Sequence, residues 1–279
     1  MPLVINTNTP SLNAQRYLSN NTGMLSKTME KLASGYRINR AGDDAAGLQV
    51  SEKLRAQIRG SQKALDNVQD GMNMLNIADG TYQAITDSVQ RMRELAVQAA
   101  NDTYSSAQRS ALQIEYNSLA SGIIQMAEAA QFNGIQLLNG TDAASGLNLQ
   151  ITANEGSDAD QLDISSALAD MTASGLVVAG DLSAHDDAQS AIAVLDAALD
   201  TINAARGKLG AFTNRLEYTA QNLATNVENT AASESRVRNV DVAMESANLA
   251  RNQILQQASQ AMLSQANQAP QLALQLLRG

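Results

Sequence analysis

The sequence from residue 65 to residue 99 reads LDNVQDGMNMLNIADGTYQAITDSVQRMRELAVQA, and an apolar residue recurs in it every three or four positions. The recurring residues are Leu65, Val68, Met72, Leu75, Ala78, Tyr82, Ile85, Val89, Met92, Ala96 and Ala99. This spacing is typical of an α-helix that packs along one face. It predicts one helix over about residues 45–100, roughly 80 Å long at the rise of an α-helix. Such a helix is too long to be packed inside a compact domain.

Four other segments carry the same spacing. An N-terminal seam runs through Leu18, Thr22, Leu25, Met29, Leu32 and Tyr36. A second seam runs through Leu112, Tyr116, Leu119, Ile123, Met126 and Ala130. A further helix is predicted over about 187–232, and the last, over about 241–277, carries the stripe Leu255, Ala258, Met262, Ala266 and Ala269. Residues 112–130 follow the polar link 101–106, so we expect them to fold back antiparallel on the long helix.

The composition favours slender rods over a broad globular core. Aromatic residues make up only 3% of the chain and Trp is absent. Ala, Leu, Gln, Asn and Ser instead suit long helices that touch along narrow seams. The predicted fold class is therefore mainly α, a long antiparallel helical bundle or coiled-coil rod with a small β-hairpin region and paired N- and C-terminal helices.

The middle of the chain departs from the helical spacing. Apolar residues alternate there with polar ones, at Leu147, Leu149, Ile151, Leu162 and Ile164. Residues 154–160 supply turn chemistry between the two runs, which predicts a β-hairpin. Residues 167–187 are small and polar, so we expect a surface excursion with little regular structure, whose deletion over about 167–184 leaves assembly intact.

Charge and composition exclude several classes of protein. The net charge of −9 and the absence of a basic cluster argue against nucleic-acid binding. No apolar run approaches the ~20 residues of a membrane-spanning helix, so no membrane insertion is predicted. No basic residue precedes Arg16, and no secretory signal is expected at the N-terminus. There is no Cys, so cysteine does not decide the compartment.

The residues that could carry chemistry do not form a site. His185 is the single histidine, beside Asp186 and Asp187, and no second His or any Cys completes a metal site or a catalytic dyad. The acidic residues Glu155, Asp158, Asp160 and Asp163 lack the spacing of a calcium loop. They are interpreted as turn residues, with weak cation binding as the alternative. No catalytic residue, cofactor or metal site is predicted, and the chain is not expected to be an enzyme.

The two terminal segments have narrow apolar stripes and opposite faces that carry few charges. Between residues 252 and 277 the chain has no charged side chain, and Gln, Asn and Ser are frequent. Uncharged polar faces can be buried against neighbouring copies without desolvating ions. This pattern indicates packing in a polymer, and an ordinary bundle within one monomer is the alternative.

Ordered motifs occur at both ends of the chain. Near the N-terminus they are Val4-Ile-Asn-Thr-Asn8, Glu30-Lys-Leu-Ala-Ser-Gly-Tyr-Arg-Ile-Asn39, Asp43-Asp-Ala-Ala-Gly47, Arg93-Glu-Leu-Ala-Val-Gln98 and Gln131-Phe-Asn-Gly134. Near the C-terminus they are Gln253-Ile-Leu-Gln-Gln-Ala258, Gln265-Ala-Asn-Gln268 and Leu276-Leu-Arg278. Together they resemble the two terminal regions of bacterial flagellins, over about residues 3–140 and 187–278. The short middle resembles a form of the family without large outer domains.

The resemblance implies how the chain is organised. It assigns residues 1–44 to an inner-tube helix with its connector, 45–140 and 187–235 to the two halves of a rod domain, 141–186 to a short variable surface region, and 236–279 to a connector and the C-terminal inner-tube helix. The terminal helices are expected to be disordered in the free monomer and to order on assembly. The residues expected to carry self-assembly are Leu18, Leu25, Leu32, Leu255, Ala258, Met262, Ala266 and Ala269.

The resemblance also implies partners. A flagellin is a homopolymer that is exported unfolded by the flagellar type III apparatus, escorted by a chaperone at its C-terminal region, and met by filament cap and hook-junction proteins. The expected location is the extracellular filament. Residues 90–97 are similar to the segment recognised by the host Toll-like receptor for flagellin, which implies contacts from Gln90, Arg91, Leu95 and Glu115. Met92 replaces a more usual Val and is expected on the seam side.

Three alternatives remain open on the sequence. A hook–filament junction protein shares the terminal architecture, and a periplasmic flagellin shares the motifs. A phage- or toxin-associated coiled-coil adhesin would fit the composition but not the ordered motifs.

Overall fold

The computed structural model of the protein describes residues 7–140, 146–154, 160–172, 176, 178 and 180–278, with the side chains of the last helix described as far as residue 268. The helices are α1 (Thr9–Ser34), α2 (Ala45–Ala99), α3 (Ser106–Ala129), α4 (His185–Arg238) and α5 (Val242–Arg278). The strands are β1 (Gln131–Phe132), β2 (Ile135–Gln136), β3 (Asn148–Gln150) and β4 (Gln161–Asp163). The prediction of a mainly α fold with a small β-hairpin region and paired N- and C-terminal helices is confirmed.

Two compact units can be distinguished in the chain. The first comprises Met1–Ala56 and Thr230–Gly279, and the second comprises Gln57–Asn229. The unit boundaries therefore fall inside α2 and α4, so the first turns of α2 and the last turns of α4 belong to the first unit.

The ends of α1 are set by its sequence. Asn8 caps the N-terminus, where its side-chain oxygen accepts a hydrogen bond from the backbone N–H of Ser11 at 3.1 Å. Pro10 occupies the first turn, where a missing N–H costs nothing. At the other end Gly35 adopts a φ of 73° and its N–H donates to the carbonyl of Lys31. A left-handed residue of this kind ends a helix, and glycine adopts it without strain.

The second unit has a continuous apolar core built from α2, α3 and α4. The periodic residues of α2 are buried as predicted from Val68 to Ala99, except Met72, which is half-buried. Their partners on the other two helices include Tyr116, Ile123, Leu195, Ile202, Leu209 and Leu216. The predicted helical spacing therefore identifies the core face, because only one face of each helix can be removed from water.

Two antiparallel hairpins complete this unit. The predicted hairpin is confirmed, with Leu149 opposite Leu162 in the β3–β4 pair, and residues 155–159 of its turn lie outside the described part of the chain. The β1–β2 hairpin was not predicted. Asn133 and Gly134 form its two-residue turn with φ values of 51° and 83°. Asn-Gly is the sequence most typical of such a turn, so the signal was present in the motif Gln131-Phe-Asn-Gly134.

The expectation that residues 167–187 form a surface excursion is wrong. Most of the apolar side chains that are described in this segment lie in the core, at Ala167, Leu168, Met171, Leu176, Val178 and Leu182. The buried hydroxyl of Tyr82 donates to the carbonyl of Ala167 at 3.0 Å, and that of Tyr116 donates to the carbonyl of Val178 at 2.9 Å. Two backbone carbonyls of the segment are thus satisfied by tyrosine hydroxyls of the helices that it covers.

Candidate assembly surface

Helices α1 and α5 of the first unit pack antiparallel along a seam in which half of the residues are polar. On α1 the buried or half-buried residues of the seam are Ser11, Ala14, Leu18, Asn21, Leu25, Thr28 and Leu32. On α5 they are Glu245, Leu249, Asn252, Gln256, Ser259, Leu263 and Ala266. Both sets alternate spacings of three and four, which is the heptad repeat of a two-stranded coiled coil. The repeat is the one predicted, but the side chains that occupy it are largely different.

Hydrogen bonds cross this seam along its length. Asn21 Nδ2 donates to Ser259 Oγ at 2.7 Å, and Asn252 Nδ2 donates to Thr28 Oγ1 at 3.1 Å. The bonds nearer the N-terminus of α1 run from Asn8 Nδ2 to the carbonyl of Ala266 at 2.9 Å and from Ser11 Oγ to Asn267 Oδ1 at 2.8 Å. Each such bond contributes about 1 kcal/mol. The main effect of the polar pairs is therefore to fix the register of the two helices, and their contribution to the free energy of helix pairing is small.

The residues predicted to carry self-assembly separate into two groups. Leu18, Leu25 and Leu32 lie on the seam, as does the half-buried Ala266. The prediction that the stripe beginning at Leu255 packs directly against α1 is wrong. Leu255 and Met262 remain 41% and 66% exposed, and Ala258 is exposed as well. The side chain of Ala269 lies outside the described residues.

The physical reason is that the seam selects residues by hydrogen bonding as well as by apolarity. Asn252 and Ser259 occupy it because each finds a partner on α1, and this turns the neighbouring apolar residues to one side. Sequence reasoning missed these polar residues because it scored only apolar side chains. Their spacing of three and four in a segment without charge was the signal that could have found them.

An exposed apolar flank lies beside the seam. Its members, called here the apolar flank, are Pro10, Tyr17 and Met24 on α1 and Leu255, Ala258 and Met262 on α5. The α1 members are seven residues apart, so they share one side of the helix. Most of them line a groove of about 460 Å³ between the two helices, and none of the lining residues carries a charge. The flank is thus an apolar surface that the subunit leaves in contact with water.

The connectors of the first unit are tied together where the two ends of the chain meet. The backbone N–H of Arg37 donates to the carbonyl of Arg238 at 2.7 Å, and Tyr36 pairs with Asn239 in an isolated antiparallel bridge. The guanidinium of Arg238 lies 4.7 Å from the ring centroid of Tyr36 and donates to Glu52 at 2.6 Å. The hydrogen bond from Arg238 lowers the pKa of Glu52 below its usual range. Sequence reasoning missed this cluster because its members are separated by about 200 residues.

The candidate receptor residues lie on α2 and α3 of the second unit. Arg91 is exposed and donates to Glu115 at 2.9 Å and to Glu94 at 2.9 Å, and these bonds raise the pKa of its guanidinium. Gln90 is exposed beside it, and Met92 is buried on the seam side as expected. Leu95 is only 1% exposed. The expected contact from Leu95 is therefore not available on this surface, because the side chain is part of the core.

The remaining candidate groups that the structure describes make local contacts. His185 begins α4, with Nδ1 3.5 Å from Asp102 Oδ1. Asp160 accepts a hydrogen bond from Thr152 at 2.6 Å and Asp163 accepts one from the backbone of Ser165, so both serve their own turns. Glu155 and Asp158 lie outside the described residues. Within the described chain, no cluster of three or more His, Cys, Asp or Glu is arranged to hold a metal.

Comparisons with known proteins agree with the paired terminal helices. The family model of the bacterial flagellin N-terminal helical region matches residues 5–143, and that of the C-terminal helical region matches residues 192–277. A flagellin of Halalkalibacterium halodurans is 46% identical over 99% of this chain and 100% of its own length.

The chain belongs to the bacterial flagellin family.

Other relatives agree with this assignment. A flagellar filament 33 kDa core protein of Treponema phagedenis is 45% identical over 99% of this chain and all of its own length. A flagellin of Bacillus subtilis is 43% identical over 98% of this chain and 99% of its own length. This flagellin is accordingly a structural subunit of a flagellar filament and not an enzyme. Among its described helices, none combines the length and apolarity needed to cross a membrane.

Proposed function

We propose that α1 and α5 carry the contacts by which copies of this flagellin add to the filament, and that a neighbouring copy covers the apolar flank. In this arrangement residues 1–44 and 236–279 form the inner tube, 45–140 and 187–235 form the rod, and 141–186 form the outward region. The observation that carries the proposal is the exposure of the flank in the isolated subunit. An exposed apolar surface with no charged residue in its groove is typical of an interaction site.

The chemistry of the flank favours a second copy as its occupant. Residues 252–268 of α5 carry no charge, and Arg16 is the single charged residue of α1 before Lys27. A charged partner would therefore find no complementary ions on this part of α5, whereas an identical uncharged surface needs none. Burying the exposed part of one large apolar side chain contributes about 1–2 kcal/mol. A filament repeats this contribution at every subunit, so a modest flank suffices for a stable polymer.

The connector cluster supports the same proposal. The Arg37–Arg238 and Arg238–Glu52 contacts join the start of α5 to the segment between α1 and α2. When the terminal helices order during assembly, this junction holds them in the register that the seam requires. Ordering coupled to binding also explains how a subunit with an exposed apolar flank remains monomeric before export.

Export and location complete the proposal. The subunit leaves the cell unfolded through the flagellar type III apparatus, escorted by a chaperone on its C-terminal region, and is placed beneath the filament cap beyond the hook-junction proteins. The filament then lies outside the cell. Immunogold electron microscopy of the source cells tests this location, because a periplasmic filament would be labelled only beneath an outer membrane. A hook–filament junction protein would be labelled only in a short zone at the filament base.

A second role is recognition by the host Toll-like receptor for flagellin. The exposed Gln90, Arg91 and Glu115 on the second unit support it, and Leu95 acts there by holding the helix that presents them. The Arg91→Ala variant is expected to signal at least tenfold less in receptor reporter cells. Lys63→Ala, which removes an exposed charge on the same helix, is the control. Equal signalling by both variants would contradict this role.

Seeded polymerisation tests the central proposal. The Met262→Asp variant places a charge on the apolar flank, and it should leave the circular dichroism of the subunit unchanged while sedimentation detects no growth on filament seeds. Met262→Leu keeps the volume and apolarity and should grow normally. Truncation after Arg238 should also abolish growth while the second unit stays helical. Normal growth of Met262→Asp would show that the flank is not an assembly contact.

A further inference from the structure

The methionines of the chain separate sharply by unit. Nine of the ten methionines have described side chains, and four of these are strongly exposed. They are Met24 at 50%, Met29 at 48%, Met244 at 61% and Met262 at 66%, and all four lie on α1 or α5. The other five belong to the second unit, where Met74, Met92 and Met171 are buried and Met72 and Met126 are half-buried against the core.

Three of the exposed methionines lie on the same side of the terminal helices. Met24 and Met262 belong to the apolar flank, and Met262 lines the groove. Met244 precedes Met262 by 18 residues, which is about five helical turns, so both point from the same side of α5. Met29 is five residues from Met24 and therefore points from a different side of α1. The accessible thioethers are thus concentrated where the subunit presents its uncovered apolar surface.

A thioether reacts with a peroxide when the oxidant can reach its sulfur. The sulfur gives two electrons to the peroxide oxygen, one oxygen atom is transferred to form the sulfoxide, and the other leaves as water when the oxidant is hydrogen peroxide. A sulfoxide reductase reverses the step with two thiols, which are oxidised to a disulfide as water is released. The product is a strong hydrogen-bond acceptor in place of an apolar group, and burying it without a donor is unfavourable.

We propose that Met24, Met29, Met244 and Met262 are a set of oxidation sites through which peroxides stop subunit addition reversibly without unfolding the second unit. The consequence for assembly rests on the proposed function of α1 and α5. Few donors remain in the groove for a sulfoxide at Met262, because Asn21 and Ser259 already bond to each other across the seam and most of the other lining side chains are apolar. The unfavourable burial raises the critical concentration for polymerisation by roughly tenfold or more.

The reactivity of the set is tested on the intact subunit. The full-length protein is treated with dilute hydrogen peroxide, and sulfoxide at each methionine is followed by peptide mass spectrometry. The four terminal methionines should react at least about tenfold faster than Met74, Met92 and Met171. In preformed filaments Met24 and Met262 should become protected. Equal reactivity of the terminal and core methionines, or no protection in filaments, would overturn the assignment.

The effect on assembly is tested on seeds by sedimentation. Treated wild-type protein should fail to extend seeds, and sulfoxide reductase with dithiothreitol should restore extension. In the variant that combines Met24→Leu, Met29→Leu, Met244→Leu and Met262→Leu, the same treatment should leave extension at the level that this variant shows before treatment, since Leu cannot be oxidised. A control variant with Leu at the rod positions 72 and 126 should remain sensitive.

The outcomes separate the two proposals. If untreated protein extends seeds and treated wild-type protein extends them equally, the oxidation inference fails while the assembly proposal stands. If the fourfold Leu variant still loses extension after treatment, another lesion is responsible and the inference fails. If untreated protein does not extend seeds, the assembly proposal fails and the assembly part of the inference fails with it.

Discussion

Replacing Tyr82 with phenylalanine removes a single hydroxyl from the core of the second unit. The Tyr82 side chain is fully buried, and its hydroxyl donates to the carbonyl of Ala167 and accepts from the N–H of Ala169, both at 3.0 Å. The ring remains in place in the variant, so packing hardly changes. The backbone of residues 167–169 then loses the two hydrogen bonds that this hydroxyl makes to it.

The loss of stability that we expect from Tyr82→Phe follows from the burial of these two backbone groups. Ala167 is fully buried, so its carbonyl remains without a partner, whereas Ala169 is half-buried and water can reach its N–H in part. An unsatisfied buried group costs about 1–3 kcal/mol. We therefore expect a loss of about 2–3 kcal/mol in the free energy of unfolding, which corresponds to a fall in Tm of roughly 5–10 °C for a unit of this size.

Thermal unfolding of the full-length subunit, followed by far-ultraviolet circular dichroism, measures this loss. Tyr116→Phe removes one hydrogen bond, to the carbonyl of Val178, and should lower Tm by about half as much. Tyr218→Phe is the matched control, because Tyr218 is exposed and should unfold like the wild type. A Tyr82→Phe variant that melts within about one degree of Tyr218→Phe would show that residues 165–182 do not belong to the cooperative core. That result would restore the interpretation of this segment as a dispensable surface excursion.

The remaining predictions concern a glycine and the response to alkali. Gly60→Ala should destabilise the second unit by about 1–3 kcal/mol, since the new Cβ would lie 2.6 Å from the Cβ of Ala153. Gly80→Ala on the same helix meets open space and should stabilise the unit by up to about 1 kcal/mol. Urea titrations measure both changes. Destabilisation by both substitutions would contradict the close approach at Gly60. Burial raises the pKa of Tyr82 and of Tyr116 from 10 to about 12. The folded state therefore keeps its full stability below pH 10 and loses it as the pH rises toward 12, by about 2 kcal/mol per tyrosine, because the unfolded chain ionises its tyrosines first. Unfolding midpoints in urea between pH 9 and pH 12 should show this fall, and it should be smaller in the Tyr82→Phe variant; a midpoint independent of pH would refute it.

The helices and their core faces were largely predictable because a helix that buries one face has apolar residues at regular intervals in its sequence. The residues from Val68 to Ala99 show this on α2, where nearly every periodic position is buried. The β3–β4 hairpin was predictable for the same reason, since Leu149 and Leu162 alternate with polar neighbours and face one another. The β1–β2 hairpin was missed, although Asn133-Gly134 is its chemical signature.

The candidate site was less predictable than the fold. Leu18, Leu25 and Leu32 were placed on the correct seam, but the opposite side of that seam was assigned to Leu255 and Met262 instead of Asn252 and Ser259. The spacing of apolar residues does not reveal that a polar residue with a hydrogen-bond partner on the other helix will occupy the seam in preference to an apolar residue. The partner lies more than 200 residues away in the chain, so its presence is known only from the folded structure.

The sequence by itself determined the long helices, the hairpin at Leu149 and Leu162, the absence of charge over residues 252–277, and the family. All of these depend on local spacing or composition, which a single chain displays directly. The tertiary structure alone decided that Leu168 and Leu182 belong to the core, that Leu95 is withdrawn from the surface, and that Met262 is left exposed. These outcomes depend on which distant groups meet, such as the Tyr82 hydroxyl and the carbonyl of Ala167. The free energy of such a contact depends on both segments together, so it cannot be inferred from the sequence of either segment alone.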